Sequence, residues 1–260
     1  MSDQVLLKEH RPPFLILTLN RPQVRNALNF ELLEELELAI DEAGFQEGLR
    51  VLIITGGGDK AFCAGADLKE RLTMSESEVR GFLSAIRRLL IKIEELPLPV
   101  VAAINGFALG GGTELALACD LRVAVADATL GLTETRFAII PGAGGTQRLP
   151  RLIGTPLAKE LIYTGRQLTA QEALAKGLVN RITARDKLME DCLELAGEIA
   201  KAGPIAVAQA KFAINKGQDV ELHTGLSIEA SAYETCIPTE DRIEGLKAFK
   251  EKRQPVYKGR

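Results

Sequence analysis

The residues best suited to chemistry lie in one stretch, NGFALGGGTELALACD, from Asn105 to Asp120. Three consecutive glycines, Gly110 to Gly112, separate the apolar run VVAAI (Val100 to Ile104) from the apolar segment LALAC (Leu115 to Cys119). This order predicts a strand, a tight glycine-rich corner and a helix beginning near Gly111. The first N–H groups of a helix have no internal partner and carry the positive end of its dipole. With no Cβ in the way, an anion or a developing oxyanion can approach that backbone closely. Glu114 follows in the first helical turn. A plain tight turn, with Glu114 complementing the dipole, would account for the same residues.

Other chemistries find little support. Four cysteines, Cys63, Cys119, Cys192 and Cys236, are widely spaced without a CxxC pair, and His10 and His223 are the only histidines. A structural metal site or a Cys/His nucleophile pair is therefore poorly supported, and the cysteines read as reduced core residues. G-x-x-x-x-G-K-[ST] is absent, and Gly142-Ala-Gly144-Gly145-Thr continues with Gln147 rather than a spaced glycine, which disfavours nucleotide-binding loops. The 32 Lys and Arg against 35 Asp and Glu give a formal charge of -3, which argues against nucleic acid as the main partner. No apolar run reaches the ~18 residues of a membrane span. The N-terminus, MSDQVLLKEHRPP, has neither a signal-peptide apolar region nor an Arg/Ser-rich transit pattern, so the expected location is cytoplasmic. Chemistry in this chain has to come from carboxylates and backbone.

The elements that must position these groups follow in order. FLILTLN (Phe14 to Asn20) reads as a strand and RPQVRNALN as the loop after it. Phe30 to Phe45 sets Leu32, Leu33, Leu36, Ile40 and Ala43 at helical spacing among acidic residues. VLIIT (Val51 to Thr55) is a buried strand, and Ser75 to Leu96 is a long amphipathic helix ended by Pro97 and Pro99. VVAAI, the glycine corner and a strand at Leu121 to Ala126 follow. Strand, loop and helix alternate three times before residue 120, which predicts an α/β core. Helical periodicity dominates after about residue 155. The expected division is a core over residues 1–195 and a helical C-terminal region over 196–260.

Three segments stand out together: AFCAGADLK (Ala61 to Lys69), ALGGGTELALACDLRVA (Ala108 to Ala124) and GLTETRFAIIPGAGGTQRLPR (Gly131 to Arg151). In order and spacing they resemble the crotonase (enoyl-CoA hydratase/isomerase) superfamily. The likeness continues through AKGLV (Ala175 to Val179) and EGLKAFKEKRQP, and so spans nearly the whole chain. It implies a ClpP-like crotonase spiral of β-β-α repeats with a C-terminal helical region for trimerisation, the trimers often pairing as hexamers. By motif position, the backbone N–H groups of Ala66 and Gly111 would hold the thioester oxygen of an acyl-CoA. Donors fixed before reaction suit an enolate-like oxyanion. The two glutamates that hydratases use match Glu114 and Glu134, twenty residues apart. One carboxylate would activate a water and the other would handle the proton at the α-carbon. Pro141 and Gly142 would shape the wall beside that water. CoA would meet the backbone from Ala64 through Ala66 and Asp67 to Leu68, with Lys69 and Arg25 near its phosphates. Phe249 and Lys252 match positions that reach a neighbouring subunit's CoA. Asp120 and Arg122 read as structural. No metal and no cofactor beyond the CoA of the substrate is expected.

Within the superfamily, ADLKER, ELALACDLRVA, GTQRLPRLIG and IPTEDRIEGLKAFKEKR resemble methylglutaconyl-CoA hydratases and their AU-rich-RNA-binding relatives. This implies hydration of a 2-enoyl-CoA to a 3-hydroxyacyl-CoA, in fatty-acid or leucine degradation. A Δ3-Δ2-enoyl-CoA isomerase is the alternative enzyme, and RNA binding the alternative outside enzymology. Against RNA stands the acidic helix of Asn29 to Glu47, where the RNA-binding relative is lysine-rich; carboxylates there repel a phosphate backbone.

Overall fold

The computed structural model describes residues 4–260. A hairpin of β1 (Leu6–Arg11) and β2 (Phe14–Leu19) leads to α1 (Phe30–Phe45), whose N-cap Asn29 accepts from the Leu32 N–H. β3 (Val51–Gly56) and β4 (Ala61–Cys63) are followed by α2 (Leu68–Thr73) and α3 (Glu76–Glu95). β5 (Val100–Ile104) and β6 (Phe107–Leu109) are followed by α4 (Gly111–Ala118). β7 (Leu121–Val125) and β8 (Thr129–Gly131) are followed by a 3-10 turn at Glu134–Phe137 and by α5 (Gly145–Ile153) and α6 (Thr155–Thr164). Next come β9 (Leu168–Thr169), α7 (Ala170–Ala175), β10 (Arg181–Thr183) and α8 (Leu188–Ala200). Three further helices complete the chain: α9 (Pro204–Gly217), α10 (Leu222–Cys236) and α11 (Glu240–Glu251).

The strands form two sheets, ordered β1-β2-β3-β5-β7-β10 and β4-β6-β8-β9. In each of three successive repeats the first strand (β3, β5, β7) joins the large sheet and the second (β4, β6, β8) joins the small one. Every repeat thus steps sideways by one parallel strand in both sheets, which is the β-β-α spiral of the crotonase fold. β3 and β5 are buried along their whole length, so they read as unbroken apolar runs rather than alternating ones. The turns between the sheets are closed by buried amides. Asn26 donates to Gly57 O (2.9 Å) and Ala61 O (2.8 Å), while Asn105 donates to Gly56 O (2.8 Å) and Gly58 O (2.9 Å).

Every residue of α4 is buried, so it carries no polar face. Its C-terminal carbonyls, which helix geometry leaves unpaired, accept from the buried Arg122 guanidinium: Ala116 O at 3.1 Å and Cys119 O at 2.6 Å. Arg122 and Asp120 are structural, as expected from the sequence. Asp120 pairs with Lys211 Nζ (2.8 Å), which also donates to Leu98 O (2.9 Å) and ties α9 to the core. Helix α8 runs unbroken through positions 195 and 196, and its Cys192, Leu195 and Ala196 belong to the main core. Helices α9 and α10 pack on each other beyond it.

The approach of α4 to β4 depends on Gly112. A Cβ there would lie 2.1 Å from Cys63 O, a backbone atom that cannot swing aside. At Gly111 the nearest atoms would be 3.5 Å away, an ordinary contact. Gly112→Ala is therefore expected to destabilise the fold severely or block it, and Gly111→Ala to fold with a near-normal melting temperature. Thermal unfolding of the two variants checks this; equal stability would contradict it.

Candidate active site

The loop after β4 lies directly against the start of α4. A Cβ at Gly65 would stand 2.8 Å from Leu109 O and 3.1 Å from Gly111 N, and its φ of +89° is a left-handed value that glycine adopts freely. Leu28 N donates to Gly65 O and Asp67 N donates to Leu28 O, each at 2.8 Å, forming a parallel bridge between Leu28 and Ala66. In such a bridge the central residue's own N–H points to the opposite side, so the Ala66 N–H is left unpaired by Leu28. Gly111 N–H is the first of α4 and has no intrahelical acceptor. The two N–H groups named from the sequence thus sit on adjoining segments.

Glu114 occupies the first turn of α4 and is 3% exposed. Its Oε1 accepts from Ala143 N (2.7 Å) and Gly145 N (2.8 Å). Burial raises its pKa, while those two N–H groups, with Arg148 and Arg87 beyond them, pull it back toward the carboxylate. Glu134 opens the 3-10 turn after β8. The turn is anchored to α6 by Thr135 Oγ1, which donates to Ile162 O (2.6 Å), and by Arg136 Nε, which donates to Thr164 O (3.2 Å). The Glu134 carboxyl lies over Gly110: a Cβ at Gly110 would be 3.1 Å from Glu134 Oε1. Its Oε2 is buried without a hydrogen-bond partner. Burial, reinforced by the nearby Glu114 charge, pushes its pKa up to about 7. One carboxylate held by backbone donors and one carboxyl near neutrality make a pair suited to taking one proton and giving another.

Around this pair, Pro141 is buried and Gly142 half-buried in the loop that supplies the donors to Glu114. Ala64 N donates to Arg25 O (3.0 Å), which brings Arg25 alongside the Ala64–Leu68 segment. Arg25 also lies over the Phe107 ring at 5.5 Å, and Leu68 and Lys69 are exposed at the start of α2. The Asp67 side chain is already engaged, capping α2 through Lys69 N (3.1 Å) and pairing with Arg21 Nη2 (3.1 Å). Phe249 and Lys252 lie exposed at the end of α11. Burial pushes the Cys63 thiol up to about 12, which leaves no thiolate for nucleophilic attack. Among the described residues no group of three His, Cys, Asp or Glu side chains could hold a metal ion, and no helix is long and apolar enough to cross a membrane.

Sequence reasoning missed the donors that fix Glu114. The signal was the glycine run Gly142 to Gly145, which reads as a rejected nucleotide-binding loop and as the wall beside the water, but not as a source of N–H donors to Glu114. It also missed Arg87 on α3, whose Nε donates to Gly142 O at 2.5 Å, and Arg148, whose Nη1 donates to Ala143 O at 3.0 Å.

A spiral of β-β-α repeats with paired backbone donors and two carboxylates defines a class, and the comparisons agree with it. Residues 13–260 match the family model for enoyl-CoA hydratase/isomerase. The chain belongs to the enoyl-CoA hydratase/isomerase family. Over 259 residues it is 58% identical to the Bacillus subtilis (strain 168) protein YngF, covering all of both chains; that protein is itself named only provisionally as an enoyl-CoA hydratase/isomerase. It is 50% identical to the human mitochondrial methylglutaconyl-CoA hydratase over 257 residues, covering 97% of this chain and 76% of that protein. The crystal structure of an enoyl-CoA hydratase from Bacillus anthracis superposes with a TM-score of 0.97 at 56% identity, covering 99% of this chain and 100% of that one.

The raised pKa of Glu134 has a consequence for stability. A folded-state value of about 7 against an ordinary 4.5 means the folded chain holds this proton more tightly than the unfolded chain. The stabilisation linked to it is complete below about pH 4.5 and lost as pH rises through about 7. Glu134→Gln removes the ionisation, so the variant is expected to gain stability over wild type between pH 5 and 8.5, by at most about 3 kcal/mol because the carboxyl is partly exposed. Denaturant unfolding at both pH values checks the sign; an equal difference at the two would contradict the buried, proton-holding carboxyl.

Proposed function

We propose that this chain is an enoyl-CoA hydratase, adding water across the C2=C3 bond of a 2-enoyl-CoA to give a 3-hydroxyacyl-CoA. The observation that carries this reading is the Glu114–Glu134 pair, whose members differ in environment beside the glycine corner. The thioester oxygen accepts from Ala66 N–H and Gly111 N–H. Glu114, as carboxylate, takes a proton from water as the water oxygen bonds to C3. The C2=C3 electrons move toward the thioester and form an enolate whose oxygen rests on the two N–H groups. Glu134, as carboxylic acid, gives its proton to C2. Water and proton come from neighbouring carboxyls, which makes the addition syn. Glu114 ends protonated and Glu134 ionised, so the pair carries one proton before and after the reaction.

CoA lies along Ala64–Leu68, with Arg25 and Lys69 available to its phosphates, and no cofactor is needed beyond the CoA of the substrate. The 50% identity to human methylglutaconyl-CoA hydratase supports a short, branched acyl group. Exposed apolar side chains on the C-terminal helices, among them Leu222, Leu226, Ile243, Leu246 and Phe249, support a trimer or a hexamer of paired trimers. In that assembly Phe249 and Lys252 would reach a neighbour's CoA.

Hydration is followed by the loss of the conjugated enoyl-thioester absorbance. Glu114→Gln and Glu134→Gln keep shape and hydrogen bonding but remove the base or acid, so each is expected to lower kcat on the order of 10²–10⁴-fold. The double variant should lose less than the product of the two, because both residues act on one transition state. A near-wild-type rate in either single variant contradicts the two-carboxylate reading and favours isomerisation. Because the pair needs one proton in either direction, kcat/KM for hydration and for dehydration should share one bell-shaped pH profile, its alkaline limb falling near pH 7 as Glu134 ionises. A profile flat up to pH 9 would contradict it.

A further inference from the structure

The loop from Pro141 to Gly145 presents N–H groups to Glu114 on one side and carbonyls to cations on the other. The N–H of Ala143 and the C=O of Gly142 belong to the same peptide group. Ala143 N donates to Glu114 Oε1 at 2.7 Å, and Gly142 O accepts from Arg87 Nε at 2.5 Å. A planar, conjugated peptide carries polarisation from oxygen to N–H, and hydrogen bonds in such a chain strengthen one another. Arg87, from the middle of α3, is therefore linked through one peptide group to a carboxylate with which it makes no hydrogen bond of its own. We propose that Arg87 is a positioning residue for Glu114, acting through the single peptide group Gly142–Ala143. This rests on the hydratase reading for its role in catalysis, but not for its effect on the resting carboxylate.

The neighbouring cation differs in a useful way. Arg148 Nη1 donates to Ala143 O at 3.0 Å, and its Nη2 donates to Glu94 Oε2 at 2.6 Å. The peptide it polarises is Ala143–Gly144, whose N–H does not reach Glu114. Its guanidinium fills the space over Gly144, where a Cβ would come within 2.1 Å of Nη1, so it fixes the shape of the loop. The charged groups around Glu114 are thus Glu134 from the 3-10 turn, Arg87 from α3 and Arg148 from α5, the last neutralised by Glu94. Arg87 makes no ion pair within 4.0 Å among the described residues, so its charge is not offset in the same way. Both arginines border a cavity of about 990 Å³ between α3, α5 and α9, so the Arg87 side chain can be altered without filling packed space.

The test compares wild type with Arg87→Met and Arg87→Lys in two measurements on the intact protein. The first is an infrared titration of the resting enzyme, labelled with 13C-glutamate, with the Glu114 signal assigned by its loss in Glu114→Gln. The Glu114 midpoint is expected to move to higher pH in Arg87→Met and to return toward wild type in Arg87→Lys. The second is hydration kinetics. Arg87→Met should lose on the order of tenfold in kcat, the lower end for a partner that orients a functional group from behind, with KM little changed. Its acid limb should shift upward in pH, and Arg87→Lys should recover part of both. An unmoved Glu114 midpoint, or a loss of melting temperature and rise in KM without a shifted acid limb, would overturn the proposal. If wild type hydrates no enoyl-CoA, the functional reading fails, while the infrared titration still decides the Arg87 relay.

Discussion

Everything in the site depends on two stretches of backbone meeting without side chains between them. Gly65, after the small-sheet strand of one repeat, rests against Leu109 to Gly111, at the same point of the next repeat. The spiral makes this meeting inevitable, because successive repeats set β4 and β6 side by side in parallel. Glycine makes it close enough to matter. A Cβ at Gly65 or Gly112 would collide with backbone oxygens, and the two free N–H groups would no longer share one small volume. Backbone donors of this kind need no reorganisation as charge develops on a ligand oxygen, which is the source of their value in catalysis.

The same economy governs the carboxylates. Glu114 is carried on a helix that is buried on all sides and capped at its far end by Arg122, so its position is set by the core rather than by solvent. Two N–H groups of the loop after Pro141 hold one of its oxygens. Glu134 has the opposite surroundings: a buried oxygen without a donor, and a neighbouring negative charge. Burial penalises both ions, and Glu114 is compensated by two loop N–H groups and by Arg148 and Arg87. Glu134 has only backbone N–H groups of its own turn and faces the Glu114 charge, so its carboxyl holds a proton to higher pH than an ordinary carboxylate. The two carboxyls thus differ in burial, in hydrogen-bond supply and in the sign of the neighbouring charges.

Much of this could be read before any coordinates. The long helices α1 and α3 announced themselves by apolar spacing, and β3 and β5 by unbroken apolar runs. Strands β4, β6 and β8 did not, because three residues are too few for an alternation to register. Without them the small sheet, and hence the reason for the glycine contacts, stayed hidden. Helix α5 starts at Gly145 and contains Pro150, two residues that argue against a helix when read locally. The glycine corner and Glu114 were legible from composition and position. Glu134 came only from resemblance to a family, since an isolated glutamate in a loop carries no pattern. Arg87 was illegible altogether: on a solvated helix face an arginine looks the same whether or not its far end meets a carbonyl.

Whether the Ala66 N–H and Gly111 N–H polarise a thioester oxygen is open to direct measurement. Infrared difference spectra of a short 2-enoyl-CoA carrying a 13C-labelled thioester carbonyl, bound to the catalytically slowed Glu134→Gln enzyme, read that oxygen directly. The expected result is a carbonyl band displaced to lower frequency on binding, because two hydrogen bonds lengthen the C=O bond. A bound ligand whose carbonyl band stays at its position in water would contradict it.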